Sequence, residues 1–78
     1  MNKEIIKFIR KNYEMTQRDF ARVLNCSFAL IALVEVGKRR VSKDLENKIR
    51  QTFNIDDQDI ASITSILTEI SKGIPPFM

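Results

Sequence analysis

The sequence predicts an all-α protein that folds as a compact five-helix bundle. Apolar residues recur at helical spacing in five segments, and residues that favour helix starts precede most of them. No segment alternates apolar and polar residues as a half-buried strand does. The chain has 78 residues with two glycines and two prolines, so we expect one domain with short connections. We place this domain at residues 1–74 and a loose tail at residues 75–78.

The first two helices are predicted from apolar spacing and a capping signal. Residues 3–12 place apolar side chains among basic ones, which fits a surface helix with one buried side. Thr16 followed three positions later by Asp19 resembles a capping box, so the second helix is predicted over residues 17–24. Ser27 is a good N-cap, and therefore a tight turn should connect the second helix to the third.

The other three helices are bounded by residues that start or end helices. The third is predicted over residues 28–36, because Gly37 can end it. The fourth follows Ser42, another N-cap residue, and the fifth begins at Asp56 or Asp57. An apolar stripe on the fifth helix consists of Ile60, Ile63, Ile66, Leu67 and Ile70. Four of these residues, Ile60, Ile63, Leu67 and Ile70, should pack across the core, although they could instead join two copies of the chain.

Charge and composition limit the function. Residues 1–53 hold twelve Lys and Arg against six Asp and Glu, whereas residues 54–78 hold one against four. A basic front fits either an anionic partner or simple solvation. Cys26 is the single cysteine, and no secretion signal or membrane-length apolar run is seen, so a cytoplasmic protein is expected. Without histidine, a phosphate-binding glycine loop or a metal-ligand cluster, we predict no catalytic, metal or cofactor site.

The second and third helices carry a known motif. Two short helices joined by a tight turn form a helix-turn-helix, whose second helix enters the DNA major groove. The segments TQRDFA (residues 16–21) and SFALIALVEVGK (residues 27–38) resemble the Cro/C1-type (Xre) helix-turn-helix family over about residues 5–55. The resemblance implies that Glu35 pairs with Arg10. It also implies that Gln17 grips a phosphate, although this residue could equally be solvated at the helix start.

The third helix departs from the family pattern on its outward side. Leu30, Ile31 and Val34 fall together on the core side at about 100° per residue. The opposite side is apolar where the family carries polar residues aimed at base edges, and base recognition needs hydrogen-bonding groups. We therefore predict that this side binds a protein. The residues predicted for this contact are Phe28, Ala29, Ala32, Leu33 and Val36.

Basic and polar residues surround this apolar side. We expect them to form the rim of the protein contact or to touch DNA phosphates. An alternative is that Ile74, Phe77 and Met78 of the tail fold back over the helix. The predicted rim residues are Gln17, Arg18, Arg22, Lys38, Arg39, Arg40 and Lys43.

A DNA-binding fold with a protein-binding recognition helix suggests control of another regulator. The chain resembles the small helix-turn-helix antirepressors of temperate phages, of the modulator-of-repression type, which bind the DNA-binding domain of the phage repressor. This resemblance implies an antirepressor that blocks operator binding. A contact with DNA stays open, either with the DNA backbone or within a ternary complex. Two alternatives stay open, a dimeric Cro-like repressor and an antitoxin whose toxin binds the apolar helix. Homodimerisation through the same side is also open.

Overall fold

The computed structural model describes residues 1–73, with side chains described through residue 70. This part of the chain contains five α-helices and no strand, which confirms the predicted all-α five-helix fold. The predicted loose tail, and the alternative in which Ile74, Phe77 and Met78 cover the third helix, lie outside the described residues. The helices are α1 (Lys3–Asn12), α2 (Gln17–Leu24), α3 (Phe28–Glu35), α4 (Lys43–Thr52) and α5 (Asp57–Gly73).

Side-chain caps fix where the helices start. The Thr16 hydroxyl accepts the backbone N–H of Asp19 at 3.1 Å, and the Asp19 carboxylate accepts the N–H of Thr16 at 3.3 Å, so the predicted capping box is confirmed. Ser27 and Ser42 each accept the backbone N–H three residues further on, at 3.1 Å. Each such cap contributes about 1 kcal/mol to helix stability.

The start of α5 was predicted at either of two aspartates. Asp56 is the capping residue, because its carboxylate accepts the N–H of Asp59 at 2.8 Å. The Asp59 carboxylate in turn accepts the N–H of Asp56 at 3.1 Å. Asp57 instead forms an ion pair with Arg50 of α4 at 2.7 Å, which attaches the first turn of α5 to the preceding helix.

The end of α3 lies one residue earlier than predicted. The N–H of Val36 still bonds to Ala32 at 3.2 Å, but the backbone of Val36 turns to a ψ of 1° and it becomes the C-cap. Gly37 follows with a φ of 83°, and its N–H donates to the carbonyl of Val34 at 3.1 Å. Residues with a side chain rarely adopt this φ, so the glycine ends the helix as the sequence predicts.

The core lies between the first four helices. α3 packs against α1 and α2, α4 packs against α2, and α5 packs against α1. No helix of the described chain is long and apolar enough to cross a bilayer. The buried apolar residues are Ile5, Ile6, Ile9, Phe20, Ala21, Leu24, Ile31, Val34, Leu45 and Ile49.

The apolar stripe of α5 divides between core and solvent. Ile60, Ile63 and Leu67 are half-buried against the core, whereas Ile66 and Ile70 remain exposed. Within the described chain, α5 has its main contact with a single helix, α1, so one side of its stripe stays uncovered. The prediction that Ile60, Ile63, Leu67 and Ile70 pack across the core is therefore wrong for Ile70.

Candidate functional site

The inward side of α3 is part of the hydrophobic core. Ile31 and Val34 are buried, and Leu30 is half-buried against the same cluster. Glu35 is also buried, with 2% of its surface exposed. These positions confirm the core side predicted from helical spacing, and they fix the rotation of α3 about its axis.

The opposite side of α3 faces solvent. Phe28, Leu33 and Val36 are 41%, 38% and 61% exposed. Ala29 is exposed and Ala32 is half-buried. The structure therefore brings the five predicted contact residues to one surface, which we call the outward face of α3 (Phe28, Ala29, Ala32, Leu33 and Val36).

The outward face carries no side-chain hydrogen-bonding group. The Ser27 hydroxyl, at its amino-terminal edge, accepts the N–H of Leu30 as a helix cap. Placing this face against base edges would remove water from polar groups without replacing its hydrogen bonds, at a cost of about 1–3 kcal/mol for each buried group. An apolar protein surface would impose no such cost, and exposed apolar patches rimmed by polar residues are typical of protein-binding sites.

Arg18 is in direct contact with the outward face. Its guanidinium carbon lies 4.7 Å from the centroid of the Phe28 ring, a cation–π contact. The contact restrains the exposed ring and holds the positive charge at the edge of the apolar surface. Sequence analysis placed Arg18 at the rim but did not predict this contact, because it depends on how α2 crosses α3.

Arg22 lies on the same helix and is largely exposed. Its closest carboxylate is that of Asp19 at 3.7 Å, and its side chain is 79% exposed. The pKa of Asp19 is held below its ordinary value by the hydrogen bonds from the Thr16 backbone and side chain, with a smaller effect from Arg22. Exposed pairs of this kind contribute little to stability, so the contact with Asp19 holds Arg22 only weakly.

The connection between α3 and α4 concentrates positive charge at the other end of the outward face. All four of its predicted rim residues are exposed, and none forms an ion pair with a carboxylate in the part of the chain described here. A shallow groove runs beside this loop and is lined by both of its arginines together with Lys3 and Val34. The loop is suited to attract phosphates or carboxylates. These four residues are Lys38, Arg39 and Arg40 of the connection, together with Lys43, the first residue of α4.

The ion pair implied by the family resemblance is present. Arg10 Nε donates to Glu35 Oε2 at 2.7 Å, and Arg10 Nη2 donates to Glu35 Oε1 at 2.9 Å. Arg10 Nη1 donates to the carbonyl of Met15 at 2.9 Å. Burial raises the pKa of Glu35, but the hydrogen bonds from Arg10 and Gln17 and the charge of Arg10 outweigh it, so the pKa of Glu35 lies below its ordinary value.

Gln17 forms a hydrogen bond to the carboxylate of this ion pair. Its amide Nε2 donates to Glu35 Oε1 at 3.1 Å, and the side chain is half-buried. The sequence predicts either a phosphate contact or a solvated position for Gln17. It does not predict a contact with Glu35, which lies 18 residues further along the chain. The amide thus orients the buried carboxylate from the first turn of α2.

Three other features complete the description of the site. Cys26 is half-buried in the turn before α3, and burial raises the pKa of its thiol, which keeps it in the unreactive protonated form. Val23 is 45% exposed on α2, which the sequence does not predict, because its spacing of three residues from the buried Phe20 is typical of the core side of a helix. Within the described residues, no group of three or more acidic, cysteine or histidine side chains is arranged to hold a metal ion.

Comparisons with known proteins give one informative similarity. No protein-family model matches the chain, and no solved structure matches it. Among curated proteins, the chain is similar to antitoxin PezA from Streptococcus pneumoniae serotype 4, with 34% identity over 65 residues. The similar region covers 83% of this chain and 41% of that antitoxin, so the chain spans less than half the length of the relative.

Proposed function

We propose that this chain is a cytoplasmic regulator of transcription with a Cro/C1-type helix-turn-helix, and that it acts by binding another protein through the outward face of α3. The supporting observation is the chemistry of that face, which exposes Phe28, Leu33 and Val36 where a DNA-recognition helix needs hydrogen-bonding side chains. α2 and α3 are joined by residues 25–27 and pack on each other, which fits the motif. The role proposed is binding rather than catalysis.

The first partner we propose is the DNA-binding domain of a repressor. Phe28 and Leu33 are the largest exposed side chains of the outward face, and aromatic and large apolar residues at the centre of a contact contribute most of its affinity. Packing them on the repressor's own helix-turn-helix covers the surface that the repressor uses for its operator. Repression is then lost by steric occlusion, so the chain acts as an antirepressor.

The second partner we propose is a toxin. The similarity to antitoxin PezA supports this candidate, because a protein named as an antitoxin counteracts a toxin. Since the chain spans less than half of that relative, the assignment of toxin binding to the outward face of α3 is itself part of the proposal. Both candidates predict that the outward face of α3 binds a protein, and they differ in which protein it binds.

Charge at the rim distinguishes a basic partner from an acidic one. The DNA-binding surface of a repressor is normally basic, so Arg18 and Arg22 repel it. The affinity for such a partner must therefore come from the apolar centre of the outward face. Replacing Arg22 with Glu should then increase the association rate with such a repressor. The same substitution should decrease the association rate with an acidic protein. Arg22 suits this test because its side chain is 79% exposed and removing it leaves the core intact.

The experiment is affinity capture of the tagged chain from a lysate of its own host, with retained proteins and DNA both identified. Leu33→Glu introduces a charge at the centre of the outward face and should abolish capture of the partner. The matched control is Val23→Glu, which replaces an exposed apolar residue of α2. Val23 lies about 140° around that helix from Arg18, so this control should retain the partner.

The captured molecule decides between the functions. A helix-turn-helix protein lost with Leu33→Glu supports the antirepressor, and a growth-inhibiting protein lost with the same variant supports the antitoxin. Capture of one DNA segment without a protein, with affinity that falls steeply as salt rises, would contradict both and indicate a Cro-like repressor. A partner that binds wild type and Leu33→Glu equally would show that the outward face of α3 is not the contact.

A further inference from the structure

A groove between α1 and α5 brings aromatic rings together with one carboxylate. It is bordered by α1, by the connection from α4 to α5, and by the first turns of α5, and it therefore lies away from the outward face of α3. Its volume is about 330 Å³, at the small end of the range for ligand sites, which are mostly apolar with a few polar groups. The residues lining it include Phe8, Tyr13, Phe53, Asn54, Asp59 and Ser62.

Aromatic rings form the apolar wall of the groove. Tyr13, the residue that ends α1, is 48% exposed, and its ring centroid lies 4.7 Å from that of Phe53. Phe53 in turn stacks on the buried Phe20 at 5.5 Å, so the core holds the wall in place. Aromatic rings attract cations that lie within about 6 Å of the ring centroid. The groove therefore offers a cation a preformed aromatic surface.

Asp59 supplies the charge of this groove. The groove is lined by no Lys or Arg of the described chain, although the whole chain carries a net charge of +3. Asp59 Oδ2 accepts the N–H of Asp56 at 3.1 Å as part of the α5 cap. Among the residues that the structure describes, Asp59 forms no ion pair. Its negative charge is therefore unbalanced beside the aromatic wall.

The other polar groups of the groove can accept hydrogen bonds. Ser62 lines it with a hydroxyl and Asn54 with a side-chain amide, and both residues are exposed. An ammonium group carries up to three N–H donors and no acceptor, so the carboxylate, hydroxyl and amide oxygens match it. An anionic ligand would meet the charge of Asp59 without any cation to offset it. The groove therefore selects a positively charged ligand.

We propose that the groove binds a small organic ammonium ion with an apolar body, such as a primary amine on an aryl or alkyl chain. The ammonium group lies between Asp59 and Tyr13, where it makes a charge-assisted hydrogen bond and a cation–π contact. The apolar body packs on the wall formed by Phe53 and Phe8. This site is separate from the outward face of α3, so the ligand and a protein partner can bind at the same time.

The test is a titration of the full chain with phenethylamine, followed by the NMR shifts of the backbone amides. This probe is a primary amine, so it is cationic at about pH 7. Phenylethanol and 3-phenylpropionate carry the same ring on a similar chain but are neutral and anionic. We expect phenethylamine to shift amides of residues 8–13 and 53–63 with a dissociation constant on the order of 1 mM, because so small a ligand makes few contacts.

The cationic probe should bind about tenfold more tightly than the neutral one, through the cation–π contact and the exposed ion pair together. The anionic probe should bind more weakly than either. Asp59→Asn removes the charge but keeps an oxygen that can accept the N–H of Asp56, so the α5 cap is retained. Tyr13→Leu removes the ring but keeps an apolar side chain. Each variant should lower the preference for the cationic probe by about threefold.

Asp44→Asn is the matched control, because Asp44 is an exposed aspartate in the first turn of α4 and lies outside the groove. It changes the net charge as Asp59→Asn does and should leave the preference intact. Equal binding of the three probes to the wild type overturns the proposal, as does the absence of amide shifts up to roughly 10 mM of the cationic probe. So do shifts confined to other parts of the chain, or a preference that falls equally in Asp44→Asn. The comparison of probes on the wild type requires no variant to fold.

Discussion

The inward and outward faces of α3 have nearly the same composition and very different surroundings. Ile31 and Val34 on the inward face, which packs against α1 and α2, are closed to water, whereas Leu33 and Val36 on the outward face remain open to it. The one charged residue of α3, Glu35, is on the buried side and is neutralised there by Arg10. Apolar character alone therefore does not distinguish a buried position from an exposed one on this helix.

The difference lies in which other elements are available to cover each face. α1 and α2 cover the inward face, and in the described part of the chain no element packs over the outward one. If this separation is correct, substitutions on the inward face should change the free energy of unfolding, and those on the outward face should change association. Five experiments test this separation, and they follow in order of decreasing expected effect.

The largest effect is expected at the buried ion pair. Replacing Arg10 with Met leaves the carboxylate of Glu35, which is 2% exposed, without its cationic partner. We expect the free energy of unfolding to fall by about 3–5 kcal/mol, measured by urea denaturation. The double substitution Arg10→Met with Glu35→Leu should recover most of the loss, since it removes the unpaired charge. A single variant as stable as the wild type would contradict a structural role for the pair.

Acid should weaken the same ion pair in the wild type. The pKa of Glu35 is lower in the folded state, so its ionised form stabilises the fold above the ordinary glutamate pKa. This contribution should be lost as the pH falls below about 4.3 and through the lower pKa of the folded protein. The Glu35→Gln variant should lack this part of the pH dependence of its free energy of unfolding. An acid transition identical to that of the wild type would contradict a stabilising role for ionised Glu35.

The next effect is expected from the apolar core. Ile31→Ala removes a fully buried side chain and should lower the free energy of unfolding by about 2–5 kcal/mol, because a cavity remains behind. Ile31→Val is the graded control and should cost about 0.5–1.5 kcal/mol. If Leu33→Ala on the opposite face lowers the free energy of unfolding as much as Ile31→Ala does, the two faces do not differ as the structure indicates.

A smaller effect is expected where α2 meets the outward face. Arg18 and Phe28 form a cation–π contact at 4.7 Å, on the surface. A double-mutant cycle with Arg18→Ala and Phe28→Ala should give a coupling free energy of about 0.5–1 kcal/mol in thermal or urea unfolding. Arg22→Ala combined with Phe28→Ala is the control cycle and should give no coupling. Equal coupling in the two cycles would indicate a general charge effect rather than this contact.

The smallest effect on stability is expected at the centre of the outward face. Leu33 is 38% exposed, so Leu33→Glu should change the free energy of unfolding by no more than about 0.5 kcal/mol. Partner binding should nevertheless be lost. This combination gives the clearest separation of the two faces, and a strongly destabilised Leu33→Glu variant would instead assign Leu33 to the fold.

The helices could be located from the sequence because the signals that bound them are local. Thr16, Ser27 and Ser42 each accept a hydrogen bond from a backbone N–H only three residues away, and Gly37 ends α3 through its own φ. Such interactions depend on a few neighbouring residues, so spacing is sufficient to predict them. The core side of α3 was predictable for the same reason, from helical periodicity.

The contacts between helices were harder to predict. The hydrogen bond from Gln17 to Glu35 depends on the distance and angle between α2 and α3. The exposure of Ile66 depends on how many helices pack on α5, which periodicity does not report. Spacing predicts that the five residues of the outward face share one side of α3, but it does not predict whether another molecule covers them.

The attachment of α5 has a consequence for how the fold opens. Arg10 joins α1, the turn at Met15 and α3 through one guanidinium group, so these elements should separate only when the whole protein unfolds. α5 is attached mainly to α1 and, at its first turn, to Arg50. In native-state hydrogen–deuterium exchange, the amides of the later turns of α5 should therefore exchange through a partial opening of lower free energy, while those of α1 and α3 require global unfolding.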